Sequence, residues 1–200
     1  KNVEFYRLDL NNLKKLEKFL KKIFSKHQKI SAIVNNAGQM YINNVSNIEV
    51  KKMVNVYNVN VLSPIIIMKY MINHMRKNNY GRIVNITSGA PLNCFKEYSI
   101  YSSTKASLNA ATITASKELN KKNITINLVS PGPIKTNMTS GMKVKFFSMD
   151  QAINDITKLL STKNKINGKF VWRGRIVPLF PNLKGINWLK GKATNNYKKI

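Results

Sequence analysis

The sequence predicts an α/β chain built on a parallel sheet, and three observations carry that expectation. Five short β-type runs, at residues 3–8, 30–34, 82–87, 124–129 and 168–177, alternate with segments of helical periodicity. Parallel neighbours need a crossover between them, and the intervening helices supply it. Two hundred residues with 43% hydrophobic content are enough for one domain with a sizeable core.

The elements follow in order. Residues 3–8 are a β-type run ending at Asp9-Leu10. Asn11 or Asn12 caps a helix in which Leu13, Leu16, Leu20 and Ile23 recur at helical spacing, with lysines on the other faces. Residues 30–34 are a buried strand that runs into Asn35-Asn36-Ala37-Gly38, where polar side chains and a glycine replace the apolar run. Ser46 caps a helix through Tyr57. Asn60 stands where that helix gives way to the next, 62–77, which has Pro64 in its first turn. Residues 78–81 are a stop and turn, and 82–87 the next strand. A loop over 88–99 contains Gly89 and Pro91. It leads to a helix over 100–119, a strand over 124–129, and Ser130-Pro131-Gly132-Pro133. A helix from Met149 or Asp150 to Leu160 and a last strand over 168–177 complete a domain expected to span 1–180. Residues 181–200 are expected to be a basic tail, packed on the domain or a neighbouring subunit in preference to a membrane surface.

Composition excludes several classes. Lys plus Arg number 34 against 8 Asp plus Glu, a formal charge of +26. The lysines are spread over every segment and far outnumber the arginines. That is the mark of a compositional bias and not of a specific nucleic-acid surface, though non-specific adhesion to polyanions at low salt is expected. No run of 18 apolar residues is present, and the first residues show no signal-peptide pattern, so a cytoplasmic protein is expected. Cys94 is the single cysteine, and His27 and His74 stand alone, so neither an internal disulfide nor a metal site is expected.

The candidate chemistry lies at Tyr101-Ser102-Ser103-Thr104-Lys105. Positions i and i+4 share a helix face, so Tyr101 and Lys105 point the same way. A nearby ammonium stabilises a phenolate and makes a tyrosine a usable acid or base near neutral pH. Ser88 lies thirteen residues earlier at a strand's carboxyl end, where open α/β sheets gather their active sites. Tyr98 has Ser102 at i+4 and lacks a lysine partner. Thr87 is a second hydroxyl there, but its spacing to Tyr101 is the poorer one.

Taken in order, Asp9-Leu10, Asn35-Asn36-Ala37-Gly38, Asn60, Ser88, Tyr101-x-x-x-Lys105, and Pro131-Gly132 followed by Thr136 give a chain that resembles the short-chain dehydrogenase/reductase family. The resemblance implies a Rossmann-like, doubly wound parallel sheet, NAD or NADP as cofactor, and interconversion of a carbonyl and a secondary alcohol. It implies that Tyr101 is the general acid or base, Ser88 holds the substrate oxygen, Lys105 lowers the Tyr101 pKa and binds the nicotinamide ribose, and Asn60 anchors a water relay behind Lys105. Asp9 and Leu10 would meet the adenine, although Asp9 also suits the end of a strand. Asn35, Ala37 and Gly38 would line the cofactor groove, and Pro131, Gly132, Ile134 and Thr136 would pack along the nicotinamide. Gly89, Cys94, Phe95 and Met138 would line a fairly apolar pocket for a small-molecule carbonyl or alcohol, such as an acyl or lipid-like compound. Cys94 and Phe95 are equally readable as loop packing. A homo-oligomer is compatible with the family.

One departure stands out. No Gly-x-x-x-Gly-x-Gly stretch occurs among the nine glycines, so nothing in these residues receives a cofactor pyrophosphate at a helix N-terminus. Matched to the family's strand order 3-2-1-4-5-6-7, the sequence starts near the third strand, roughly 50 residues in. The expectation is that residues 3–8 pair directly with 30–34, and that the 200 residues alone bind NAD(P)H poorly. The NAD-versus-NADP determinant is not among them. A catalytically incompetent remnant or a binding scaffold is the other reading.

Overall fold

The computed structural model describes residues 3–119 and 123–179, with the backbone of 186–187 and 192–193. Helix α1 (Leu13–Lys26) begins where the Asn12 side chain accepts the Lys15 N–H at 3.0 Å, and it buries Leu16 and Leu20.

Residues 3–8 do not form the expected strand and do not pair with the next one. Phe5 is 91% exposed, Tyr6 packs edge-on against Phe19 of α1, and Glu4 pairs with Lys26 at 2.7 Å. Their neighbour is thus a helix surface, which offers no backbone ladder, and β-type residues without a ladder make no strand.

Strands β1 (Ala32–Asn35), β2 (Gly81–Ile86), β3 (Ile124–Ser130) and β4 (Phe170–Trp172) lie side by side in chain order, all parallel. Strand β5 (Arg175–Val177) returns antiparallel beside β4. The single strand expected over 168–177 is therefore a hairpin. Arg173 and Gly174 sit at φ 48° and 76°, the two consecutive positive values that let a two-residue turn match strand twist.

Helix α2 (Val50–Tyr57) starts later than expected. The Ser46 hydroxyl engages the Asn47 side chain, and Val45–Asn47 make one 3-10 turn. The Glu49 N–H instead donates to Tyr41 Oη at 3.0 Å, a cap supplied from outside the helix. Between α2 and α3 (Ser63–Lys77) the chain makes a π-helical turn, Asn58–Leu62. Helix α4 (Ala90–Asn93) occupies part of the expected loop, followed by α5 (Ser99–Glu118) and α6 (Met149–Leu160).

Adjacent strand residues face opposite ways, and both faces are covered. On one face Ile83, Ile124 and Ile126 pack with Met68, Met71 and Met75 of α3, flanked by Phe24 of α1 and Ala111 and Ala115 of α5. On the other, Val84, Val129 and Val171 pack with Leu159 of α6. Helices on both faces of a mainly parallel sheet make this the α/β architecture expected from the alternation. Arg82, buried at the foot of β2, gives its guanidinium N–H groups to Asn123 Oδ1 and to the carbonyls of Gly81, Asn123, Ser161 and Thr162, tying β2 to the loop after α6.

Strands β6 (Ile186–Asn187) and β7 (Lys192–Ala193) pair antiparallel. The rest of the expected tail, and its boundary at 180, lie outside the described residues. Among the described residues no helix is long and apolar enough to cross a membrane.

Candidate active site

Because β1, β2 and β3 are parallel, their carboxyl ends share one edge of the sheet. Asn36-Ala37-Gly38 leave β1 there, Thr87-Ser88 leave β2, and Pro131-Gly132 leave β3. Helix α5 starts at the same edge, with Tyr101 in its first turn and Lys105 in its second.

Lys105 is 4% exposed. Its Nζ donates to Ile86 O at 3.0 Å and stands 5.8 Å from the centre of the Tyr101 ring. Burial lowers its pKa to about 8. The Tyr101 pKa is raised, first by burial, against which the Ser88 hydroxyl acts by favouring the ionised form; the Tyr98 phenol raises it further. The helical spacing alone led to the opposite expectation, a phenol pulled down by its lysine. Desolvation wins here, and the lysine is itself weakened as a charge by the same burial.

Ser88 Oγ accepts the Ala90 N–H at 3.1 Å, whereas Thr87 turns inward and donates to Asn109 Oδ1 at 2.6 Å. The two hydroxyls are thus sorted by strand alternation, and Ser88 is the one beside the phenol. Asn60 is fully buried in the π-helical turn. Its Oδ1 accepts the Gln39 N–H at 2.8 Å, and its Nδ2 donates to Gln39 O at 2.8 Å and to Thr104 Oγ1 at 3.1 Å. It clamps the segment after Gly38 to the turn of α5 between Tyr101 and Lys105. The Asn35 side chain points into the core and donates to Asn85 Oδ1 at 2.7 Å, and Asn85 donates to Thr112 Oγ1 at 2.8 Å. Only its backbone is left to line a groove.

Asp9 and Leu10 lie by the π-helical turn: Asp9 accepts the Asn11 N–H at 2.9 Å, and Leu10 O accepts from Ser63 Oγ at 2.7 Å. Asp9 also borders a shallow hollow of about 420 Å³ with Asn11, Asn12 and Asn58. Gly132, at φ 74°, packs under Phe147, and Thr136 forms a capping box with Thr139. Ile134 accepts from Thr139 Oγ1 at 2.6 Å. Of the expected pocket residues, Met138 lines an open groove of about 490 Å³ with Gln39, Met40, Tyr41, Lys52 and Val56. Gly89, Cys94 and Phe95 do not line it, and Cys94 is exposed.

The sequence reading missed Gln39, Met40 and Tyr41 as a wall of this groove, and Thr104 as the link from Asn60 to α5. The available signal was position: Gln39 directly follows Gly38, and Thr104 lies between Tyr101 and Lys105. Among the described residues no cluster of His, Cys, Asp or Glu could hold a metal ion.

Residues 1–145 match the family model described as short chain dehydrogenase. The chain is 34% identical over 144 residues to a 3-oxoacyl-[acyl-carrier-protein] reductase of Buchnera aphidicola subsp. Schizaphis graminum, covering 72% of this chain and 59% of that one. It is 27% identical over 164 residues to a diacetyl reductase of Staphylococcus epidermidis, covering 80% and 64%. The chain therefore spans under two thirds of the length of these curated relatives. Among solved structures it is similar to ElxO with NADP bound, at a TM-score of 0.78 and 28% identity, over 86% of this chain and 77% of that one.

Proposed function

The chain belongs to the short chain dehydrogenase family, and from that premise we propose that it is an NAD(P)-dependent oxidoreductase interconverting a carbonyl and a secondary alcohol. One observation carries the reading: Lys105 is buried and Tyr101 half-buried one turn apart, the ammonium 5.8 Å from the ring, with Ser88 beside the phenol at the end of β2.

The residues present fit the nicotinamide half of such a cofactor. Lys105 Nζ has three donors and, among the described residues, one hydrogen bond, to Ile86 O. Gly38 keeps its approach open, since a Cβ there would stand 3.6 Å from Nζ and 3.4 Å from Asn60 Oδ1. Ser130 Oγ, buried at the end of β3, has no partner among the described residues. A bound ribose and carboxamide would satisfy such donors. We assign the ribose to Tyr101 and Lys105, the nicotinamide side to Gly38, Pro131, Gly132, Ile134 and Thr136, and the adenine side to Asp9, Leu10, Ala37 and the backbone of Asn35. The cofactor, when bound, supplies or accepts the hydride.

Tyr101 Oη gives its proton to the carbonyl oxygen in reduction and takes it back in oxidation. Burial keeps that proton on the phenol until it is needed. Ser88 Oγ accepts from the Ala90 N–H, and its one proton, directed at the Tyr101 phenol in the absence of substrate, is the one it would turn to the substrate oxygen. The Lys105 ammonium stabilises the phenolate left behind. Asn60 holds Gln39 and Thr104 and so fixes the turn that carries both groups. Met40, Val56 and Met138 share the groove with Gln39, Lys52, Asn55 and Asn137, so we take an acyl or lipid-like ketone with polar groups as the substrate, and the names of the two relatives agree with a ketone. Residues 1–180 are taken as one catalytic domain.

The test is oxidation of NADPH and NADH, against 3-oxoacyl thioesters and small diketones, by the chain joined at its N-terminus to a Gly-rich phosphate-binding segment, since these 200 residues alone are expected to bind the cofactor poorly. Tyr101→Phe is expected to lose about 10²- to 10⁴-fold in turnover, the share of a positioned general acid, with cofactor affinity largely retained through Lys105. Full turnover in that variant sinks the assignment. Turnover of small polyols alone removes the apolar substrate, and failure to bind either cofactor favours the scaffold.

A further inference from the structure

Phe147 ends the segment that follows Gly132, and three contacts hold it. Its N–H donates to Pro133 O at 2.8 Å, which ties the two ends of residues 134–146 into a loop with a closed neck. Its ring lies against Gly132, where a Cβ would meet ring carbons at 2.8 and 3.1 Å. The Arg173 guanidinium stands 4.0 Å from the ring centre, well within cation–π range.

Arg173 is itself presented firmly. It lies in the β4–β5 turn at φ 48°, and the next residue, Gly174, donates its N–H to Asp155 Oδ2 at 2.9 Å. Asp155 is buried on α6 and its other oxygen accepts from Gln151 Nε2 at 2.9 Å. The hairpin tip is thereby fastened to α6, and the guanidinium projects from it onto Phe147.

Beyond the neck the loop is lightly held. A Cβ at Gly141 would touch nothing within 4 Å, and Val144 is exposed. Among the described residues the one hydrogen bond made by 141–146 is from the Met142 N–H to Thr139 O.

We propose that Arg173 is a positioning residue: it clamps Phe147 onto Gly132 and sets the neck about which the 134–146 loop, carrying Thr136 and Met138, moves. The consequence for binding rests on the oxidoreductase reading; the clamp does not. Loosening the clamp raises the population of the opened loop, and native-state proteolysis reads that population directly.

The loop offers trypsin Lys135, Lys143 and Lys145. In Arg173→Ala, cleavage after these lysines is expected to be roughly two- to five-fold faster than in the native chain, the factor an exposed cation–π contact supplies, with a correspondingly small fall in the urea midpoint and with sites that open by local motion outside the loop cut at their native rates. Arg173→Lys keeps the charge but loses the flat stack and falls between the two. Phe147→Leu speeds cleavage as well, and adding Arg173→Ala to it adds little, because both remove one contact. Where turnover is measurable, Arg173→Ala raises the KM for the cofactor several-fold with kcat little changed. Cleavage of Arg173→Ala at the native rate overturns the proposal, and so does equal acceleration at every site with a fallen urea midpoint. The digestion needs neither cofactor nor turnover, so a failure of the oxidoreductase reading shows as missing turnover and leaves this result decisive.

Discussion

Replacing Lys105 by Met should stabilise the protein while disabling its site. A lysine whose ordinary value of 10.5 falls to about 8 pays for its burial, and the difference amounts to about 3 kcal/mol at neutral pH. The folded protein binds fewer protons at this group than the unfolded chain does between pH 8 and 10.5. Stability contributed by this residue therefore rises with pH across that window, and the penalty is present in full below it. Lys105→Met removes the penalty in a side chain of similar length. It also strips Ile86 O of the 3.0 Å hydrogen bond from Nζ, an unmade partner that costs about 1–2 kcal/mol. The net expectation is a gain of about 1–2 kcal/mol at pH 7, shrinking as the native chain recovers above pH 8. Urea unfolding of both proteins at intervals from pH 6.5 to 9.5 measures it, and taking the difference between them removes every other titrating group. A variant less stable than the native chain at pH 7, or a difference that does not change with pH, refutes the reasoning.

The His74 pKa is lowered, by burial first and then by Lys77, and its Nε2 accepts the Ile30 N–H at 3.1 Å just before β1. Protonation removes that acceptor, so stability should fall as pH drops below the ordinary histidine value of 6.5, and His74→Gln should flatten the fall in urea titrations. Asn85→Ala strands the Asn35 amide inside the core and takes a donor from Thr112, which keeps its bond to Leu108 O, and should cost about 2–3 kcal/mol. Asn35→Ala should add little to it in a double-mutant cycle, and simple additivity would contradict a shared network.

The periodicities that made α1, α3, α5 and α6 legible are local, and those helices stand where the sequence places them. The strand ends were legible too, because Asn35-Asn36-Ala37-Gly38 and Ser130-Pro131-Gly132 interrupt apolar runs in a way no helix or strand interior does. What was not legible depends on partners distant in sequence. Residues 3–8 have strand composition, yet a strand exists only as part of a ladder, and their neighbour is α1. The turn at Arg173-Gly174 was hidden because arginine is an uncommon residue at positive φ. The direction of the Tyr101 shift was misjudged because i, i+4 spacing reports an ammonium nearby and says nothing of how dry the surroundings are. Ser88 and Thr87 could be told apart only by spacing, and it is the hydrogen bond to Asn109 that shows Thr87 to be occupied elsewhere.

The π-helical turn at Asn58–Leu62 has a consequence for what lengths of chain this fold accepts. Each helical residue advances the side chains by about 100°, so one residue more or fewer in a turn sets everything after it out of phase by that angle. Upstream, Val56 of α2 is buried; within the turn, Asn60 reaches Gln39 and Thr104; downstream, Met68, Met71 and Met75 face the sheet. The turn is the phase correction that lets one nearly continuous rod serve all three. Substitutions along 58–62 leave that angle intact. Deletion of a single residue there would swing three methionines off the sheet and turn Asn60 away from α5 together, so this stretch should bear changes of letter far better than changes of length.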